Sequence, residues 1–132
     1  METFTYLSQE WAAEATRRLQ ETLTPEKMKY LTSSMLNIYT HCPDGKEKAV
    51  FYSIRDGVVE RVSICDADPP GAEFTVTSDY QTFAQISQAK LKARSALMSG
   101  KMHLKGNLIT ALRLAPVVDR LNQVLSTIPT VY

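Results

Sequence analysis

The side chains best suited to act as nucleophiles belong to Cys42 and Cys65, and His41 directly precedes Cys42. An imidazolium beside a thiol stabilises the thiolate, so this pair raises the question of nucleophilic catalysis. Successive side chains of a strand point to opposite faces of a sheet, however, so His41 and Cys42 are expected to diverge. We interpret them as ordinary residues at a strand end, and the sequence predicts no catalytic nucleophile.

The carboxylates and potential metal ligands do not indicate a catalytic or metal-binding site either. Asp66 and Asp68 have the spacing of two carboxylates on one side of a strand, but the following Pro69-Pro70-Gly71 favours a solvated loop. The sequence has no CxxC or HExxH arrangement for zinc, and no GxGxxG, GxxxxGK or GxSxG signature. We therefore predict a protein that is not an enzyme and that requires neither a metal nor a cofactor.

Length and composition are those of one ordinary globular domain over residues 1–132, since 44% of the 132 residues are hydrophobic and 22% are charged. No apolar stretch approaches the roughly 20 residues of a membrane span, and Met1-Glu2-Thr3 does not resemble the start of a signal peptide. Two cysteines are too few for a disulfide scaffold. These features favour the cytoplasm.

The formal net charge of +1 hides two halves of opposite charge. Residues 1–79 have a balance of −5, with 8 Lys or Arg against 13 Asp or Glu, whereas residues 80–132 have a balance of +6, with 7 against 1. A basic half is suited to an anionic membrane, an acidic ligand head group or a protein partner, although the simpler interpretation is a solvated face. Nucleic acid is disfavoured because no array of stacking aromatic residues accompanies the charges.

An amphipathic helix and three strands account for the first half of the chain. Apolar residues recur every four positions over 7–23, which predicts a helix, and Asp56-Gly57 is typical of a two-residue hairpin turn. We predict a three-stranded meander in which Cys42 and Cys65 lie two strand spacings, or about 9.6 Å, apart, so free thiols are expected. The predicted strands are 35–40, 49–55 and 58–64.

Two short helices, two strands and a broken C-terminal helix are predicted for the second half. Alternation over 74–77 predicts a fourth strand reached by a crossover, and Ser78-Asp79 caps the helix that follows. A second short helix ends at Gly100, and alternation over 101–105 predicts a fifth strand with one apolar and one basic face. We expect Pro116 to break the last helix, because its ring clashes with the carbonyl four residues earlier. This order predicts an α+β fold in which helices cover one face of a five-stranded sheet.

The elements that face the sheet carry many flexible apolar side chains. Their periodicity alone does not distinguish a packed core from the lining of an apolar cavity, and dense packing makes the core the simpler interpretation. The candidate residues are Met98, Met102, Leu104, Leu108, Ile109, Leu112, Val118 and Leu121.

The run Ser95-Ala96-Leu97-Met98-Ser99-Gly100-Lys101-Met102-His103-Leu104-Lys105-Gly106-Asn107 resembles the signature of the sterol carrier protein type 2 family, Ala-Leu-Met-x-Gly-Lys-x-x-x-x-Gly-Asn/Asp. The stretch from Phe74 to Leu91 is also similar to the family's strand, Ser-Asp-Tyr and amphipathic helix, and the element order is similar along nearly the whole chain. Gly100 and Gly106 allow the sharp turns into and out of the fifth strand. The motif contains no catalytic group.

Two features depart from the family pattern. The short turn before the motif, which usually contains glycine, reads Gln88-Ala89-Lys90-Leu91, and the terminal Thr130-Val131-Tyr132 is not a peroxisomal address. The second departure favours a bacterial-type or cytosolic stand-alone member.

The resemblance implies an apolar tunnel between sheet and helices that holds sterols, fatty acids, acyl-CoA or phospholipids. The expected function is non-catalytic binding and intracellular transfer of such a lipid partner, with the eight apolar candidates lining the tunnel. Lys101 and Lys105, on the basic face of the fifth strand, are predicted to dock transiently on an anionic membrane. The alternative is a protein-interaction module or accessory subunit that docks an enzyme through the sheet edge or the basic face.

Overall fold

The computed structural model describes residues 3–65 and 71–132, which form four helices and seven strands. The order of helices and strands along the chain agrees with the predicted order except at the chain ends and within the last helix. The strands are β1 (Phe4–Thr5), β2 (Ser33–Thr40), β3 (Lys48–Arg55), β4 (Val58–Cys65), β5 (Phe74–Asp79), β6 (His103–Lys105) and β7 (Thr130–Val131). The helices are α1 (Gln9–Thr22), α2 (Tyr80–Ser87), α3 (Ala93–Met98) and α4 (Leu108–Leu125).

Five of the strands form one mixed sheet in the spatial order β4-β3-β2-β5-β6. The first three in sequence, β2, β3 and β4, form the predicted antiparallel meander, and Asp56 and Gly57 have positive φ in the hairpin between β3 and β4. β5 runs parallel to β2, which confirms the predicted crossover, and β6 pairs antiparallel with β5 at the sheet edge. The predicted five-stranded α+β architecture is confirmed.

The two faces of the sheet are covered differently. The main hydrophobic core includes residues of all four helices, and it packs against the inner face, to which Tyr39, Tyr52 and Val76 contribute. The outer face has a smaller cluster centred on Leu36 and Phe51, to which no helix residue in the described ranges belongs. Helices therefore cover one face of the sheet, as predicted.

α1 is fixed to the edge strand β4. Ser8 caps the helix because its Oγ accepts a hydrogen bond from Trp11 N at 3.1 Å. On the side that faces the sheet, Val62 N of β4 donates to Thr16 Oγ1 at 3.0 Å, and the buried residues of α1 pack against β4 and α4. α1 therefore supports the sheet at the side remote from β6.

α4 runs without interruption from Leu108 to Leu125, so the predicted break at Pro116 is wrong. Proline removes one backbone donor and crowds the carbonyl one turn earlier, which is a local cost. Its neighbours Ala115 and Val117 are both buried, so the turns on either side of Pro116 are packed into the core. This tertiary packing outweighs the local cost and keeps one continuous helix.

The segment Gln88-Ala89-Lys90-Leu91 keeps a tight turn although it lacks the usual glycine. Ala89 has a φ of 59°, a left-handed conformation that is unfavourable for a residue with a Cβ atom. α3 begins shortly after this turn, and Asp119 Oδ1 of α4 accepts a hydrogen bond from Ala93 N at 3.0 Å. The first turn of α3 is thus held by α4 rather than by a capping side chain of its own.

The two ends of the described chain pair with each other. β1 and β7 form a parallel two-stranded sheet in which Phe4 lies opposite Thr130. The sequence gives no sign of this pair of strands, because a two-residue strand is too short to show a periodicity.

Candidate functional site

A narrow cavity of about 80 Å³, open to solvent on one side, lies between the inner face of the sheet and the helices α2, α3 and α4. On the sheet side it is lined by Met35, Asn37, Tyr39, Tyr52, Ile54, Phe74, Val76, Met102 and Leu104. On the helix side it is lined by Phe83, Ile86, Ser87, Ala93, Leu97, Ala111, Leu114, Ala115, Val117, Val118, Leu121 and Asn122. Leu31 and the first two residues of β2, Ser33 and Ser34, complete the lining.

Regular periodicity brings these residues together. Met35, Asn37 and Tyr39 alternate along β2 and therefore share one face of the strand. Ala111 and Val118 are seven residues apart in α4, so they lie on one side of that helix. The lining residues of β2 and α2 are not among the sequence-predicted candidates, and the alternation in β2 was the signal that could have found the first group.

The cavity lining carries no ionisable acid or base other than tyrosine among the described residues. Most of the surface is aliphatic or aromatic, and most of its polar side chains already have a hydrogen-bond partner within the protein. An uncharged apolar cavity favours hydrocarbon and disfavours an ionised group. The lining side chains with a hydrogen bond of their own are Ser33, Ser34, Tyr39, Ser87 and Asn122.

A buried cluster of hydroxyl groups lies beside the cavity. Tyr6 OH is 2.8 Å from Tyr39 OH and 2.6 Å from Ser87 Oγ, and the Tyr39 ring stacks on Phe83 with a centroid distance of 4.2 Å. Burial raises the pKa of Tyr6 and of Tyr39 well above the ordinary value for tyrosine. Both phenols are therefore neutral at physiological pH, and the cluster adds no charge to the cavity.

Four of the eight apolar candidates line the cavity. Met102 and Leu104 reach it from the β6 side, and Val118 and Leu121 reach it from α4. Whether these four contact a ligand stays a prediction. The structure does not bring Met98, Leu108, Ile109 or Leu112 to the cavity wall.

The other four candidates are directed away from the cavity because of where they lie on their helices. Met98 is the last residue of α3 and is 64% exposed, while its neighbour Leu97 faces the cavity. Ile109 is 71% exposed and shares with Leu112 the side of α4 that carries the exposed Pro116. Leu108 lies in the first turn of α4 and is 50% exposed.

The basic face predicted for the fifth strand is present. Lys101, His103 and Lys105 are exposed, whereas Met102 is buried and Leu104 is half-buried. β6 pairs on one side with β5 and forms the edge of the five-stranded sheet. The apolar side of this short segment therefore faces the cavity and its charged side faces solvent.

The reactive side chains do not assemble into a catalytic group. Cys42 is buried, its thiol donates to Tyr39 O at 3.6 Å, and burial raises its pKa, all of which disfavour a thiolate. His41 is exposed, so the two side chains diverge, and Cys42 and Cys65 are free thiols. Asp66 and Asp68 lie outside the described residues.

Over 3–65 and 71–132, no group of three or more His, Cys, Asp or Glu is placed to hold a metal ion. In the same ranges, no helix has both the length and the apolar character needed to cross a membrane.

The fold and its apolar cavity between sheet and helices define a class of α+β domains, and the sequence signature indicates the same class. The chain matches the SCP-2 sterol transfer family over residues 8–119 and belongs to that family. The matched range includes α1, the whole five-stranded sheet and most of the cavity lining. No curated protein matches the chain.

Solved structures share the fold at low sequence identity. A crystal structure of sterol carrier protein 2 is 23% identical, with a TM-score of 0.79 over 93% of this chain and 98% of that chain. The solution structure of a conserved hypothetical protein from Thermus thermophilus is 21% identical, with a TM-score of 0.78 over 99% of this chain and 94% of that chain. Palmitated SCP2L2 from Aedes aegypti is 18% identical, with a TM-score of 0.53 over 81% of this chain and 94% of that chain.

The fold also occurs as part of a longer chain. The stereoselective inverting sec-alkylsulfatase Pisa1 from Pseudomonas sp. is 21% identical, with a TM-score of 0.50 over 74% of this chain but only 14% of that chain. At these identities the likeness shows a common fold.

Proposed function

We propose that this protein binds a long-chain lipid in the cavity and transfers it between membranes without changing it chemically. The observation that carries the proposal is the uncharged apolar cavity between sheet and helices, in a chain that belongs to a sterol transfer family. Residues 1–132 act as one lipid-binding domain, and the two free thiols support a reducing compartment such as the cytoplasm. The protein needs no cofactor for this function.

Binding of an acyl chain in this cavity is energetically reasonable. Burying 12 methylenes at about 0.8 kcal/mol each gives roughly 10 kcal/mol before the cost of association, which leaves micromolar affinity. The cavity of about 80 Å³ is narrow, so we expect the lining to adjust around a bound chain. Met35, Met102 and Leu104 are flexible side chains on the sheet side, and methionine adapts readily to irregular ligands. The palmitated Aedes structure supports an acyl chain as the ligand class.

The direct test is native mass spectrometry of gently purified protein. We expect a discrete added mass that corresponds to one lipid per chain, and we expect delipidated protein to take up one molecule from a panel of fatty acids, long-chain alcohols, sterols and acyl-CoAs. Protein that carries no lipid and refuses the whole panel would contradict the proposal and support the interaction module.

Transfer requires contact with a bilayer, and we propose the segment from Met98 to Ile109 as the membrane-docking segment. It carries the exposed Lys101 and Lys105 together with three exposed apolar side chains, Met98, Leu108 and Ile109. Basic residues attract an anionic leaflet at about 1 kcal/mol each, and exposed apolar side chains can enter the head-group region. Met102 and Leu104 within this segment line the cavity, so docking here would place the bilayer beside the site.

Replacing both Lys101 and Lys105 by Glu is expected to slow lipid transfer to vesicles that contain anionic lipid by about tenfold at low salt, because attraction at the bilayer becomes repulsion. The measurement is fluorescence transfer between vesicles of defined composition. Equilibrium lipid affinity should be unchanged, and the difference from wild type should shrink at high salt.

The matched control is the double variant Lys27→Glu and Lys46→Glu, which changes the net charge equally at two exposed positions outside the docking segment. We expect it to transfer lipid nearly as fast as wild type. Equal slowing by the two double variants would show that net charge alone matters and would remove the docking segment from the mechanism.

A protein-interaction module remains the second candidate, favoured by one structural observation. The same fold forms 14% of the Pisa1 chain, so a domain of this kind can be part of a larger enzyme. In that case the β6 edge or its basic face would contact the partner, and lipid would be absent from the purified protein.

A further inference from the structure

Asn37 places an amide on the cavity face in the middle of β2. The residue is only 8% exposed, and its Oδ1 atom has no hydrogen-bond partner in the described part of the chain. Buried polar atoms in native proteins are almost always bonded, so an unbonded one requires an explanation.

The surroundings of Asn37 offer no partner from the sheet. In the pairing register it lies between Val50 of β3 and Val76 of β5, and Met35 and Tyr39 flank it along β2. The valine and methionine side chains cannot donate a hydrogen bond, and the Tyr39 hydroxyl is bonded to Tyr6. Oδ1 is itself buried, but Asn37 belongs to the cavity lining, so a rotation of its side chain would bring the amide to a molecule inside the cavity that supplies the missing donor.

Two other polar groups, Asn122 and Trp11, each lack one half of this combination. Asn122 also lines the cavity, but its Nδ2 donates to Val118 O at 3.0 Å within α4. Trp11 Nε1 is the other buried atom without a partner in the described residues, and Trp11 does not line the cavity. Asn37 therefore combines an unmet hydrogen bond with a place in the cavity wall.

The chemistry of the amide and of the cavity defines the matching ligand group. A carboxylate only accepts hydrogen bonds and is ionised at neutral pH, and the described lining has no cation to balance it. A hydroxyl group is neutral and donates one hydrogen bond, which is what Oδ1 lacks.

We propose that the Asn37 amide accepts a hydrogen bond from the neutral hydroxyl end of a bound lipid, and that Asn37 thereby makes the cavity select long-chain alcohols over equally long molecules that cannot donate. This inference rests on the proposed lipid-binding function and names the group that the site recognises. The hydrogen bond to Asn37 would orient the bound molecule, with its hydroxyl end inside the cavity and its other end toward the opening.

The test compares 1-hexadecanol with 1-methoxyhexadecane, which has the same chain and an oxygen atom but no donor, and with hexadecanoate. Affinities are measured by displacement of a fluorescent long-chain alcohol, an uncharged probe. In wild type we expect the alcohol to bind about five- to tenfold more tightly than its methyl ether. In Asn37→Val, a β-branched residue that matches its neighbours in the sheet, we expect this ratio to fall to about 1.

Two further variants keep the result interpretable. Asn37→Thr restores a hydroxyl group and should recover part of the preference for the alcohol, while Thr75→Val, on the neighbouring strand β5 but outside the cavity lining, should leave the ratio unchanged. Thermal unfolding of each variant shows whether it folds.

A wild-type ratio near 1, or a ratio that Asn37→Val leaves unchanged, overturns the role of Asn37 while the carrier function stands. A protein that binds none of the three molecules and does not take up the probe overturns the carrier function itself.

Discussion

Replacing Ala111 by Trp is expected to weaken lipid binding by more than tenfold while the protein stays folded. Ala111 lines the cavity from α4 and is half-buried, so an indole at this position can extend into the space that an acyl chain would occupy. Excluding only two methylenes, at about 0.8 kcal/mol each, already removes about 1.6 kcal/mol of binding free energy. The measurement is the dissociation constant of a fluorescent fatty acid, followed together with the melting temperature.

Ala13 provides the matched control for this substitution. It is also an alanine within a helix, but it lies on the exposed side of α1 and does not line the cavity. Ala13→Trp should leave lipid affinity unchanged. Equal affinities of the two folded variants would mean that lipid does not occupy the cavity between sheet and helices.

Replacing Gly57 by Ala is expected to lower the free energy of unfolding by about 3 kcal/mol. A Cβ atom at Gly57 would lie 2.7 Å from Cα and from the carbonyl oxygen of Pro25, and the residue has a φ of 79°. The left-handed conformation costs about 1 kcal/mol for alanine, and the backbone clash adds about 2 kcal/mol. Urea denaturation measures the change.

Gly100→Ala separates the two costs, because Gly100 has the same φ of 79° but no atom within 4 Å of an added Cβ. It should lose only about 1 kcal/mol. Similar losses in the two variants would show that the contact with Pro25 relaxes freely. A shift of Gly57 would also affect the cavity wall, because Gly57 N donates a hydrogen bond to Leu31 O at 2.8 Å and Leu31 lines the cavity.

The meander and the main helices were predictable because their signals are local. The Asp56-Gly57 turn requires positive φ at adjacent positions, and the structure has it at both. Asp79 caps α2 by accepting a hydrogen bond from Thr82 N at 2.7 Å, as its position before an amphipathic stretch predicts. These features depend on a few neighbouring residues and not on the rest of the chain.

The cavity lining was only half predictable because it depends on how the helices lie over the sheet. The sequence shows that Leu108, Ile109 and Val118 are apolar, but only the packed structure shows that Leu108 and Ile109 are exposed while Val118 lines the cavity. The continuity of α4 at Pro116 has the same origin, since burial of both flanking residues compensates a local defect. Burial by distant elements leaves no signature in a local pattern.

Asn37 illustrates the part of the site that sequence reasoning missed. In the sequence it is one polar residue within a β-rich stretch, where exposure to solvent is the ordinary expectation. Only the neighbouring strands, which place valines on both sides of it, show that its amide lacks a partner within the sheet. An unmet hydrogen bond is a property of the surroundings and not of the residue.

The position of Trp11 gives the protein a natural optical probe of its folded state. Trp11 is the only tryptophan of the chain, is fully buried, and contacts Tyr6 edge to face with a ring-centroid distance of 5.0 Å. It does not line the cavity, so a ligand there does not touch the indole directly. Intrinsic fluorescence will therefore follow unfolding with little direct interference from lipid, and folding and ligand occupancy can be followed separately in one sample of the wild-type protein.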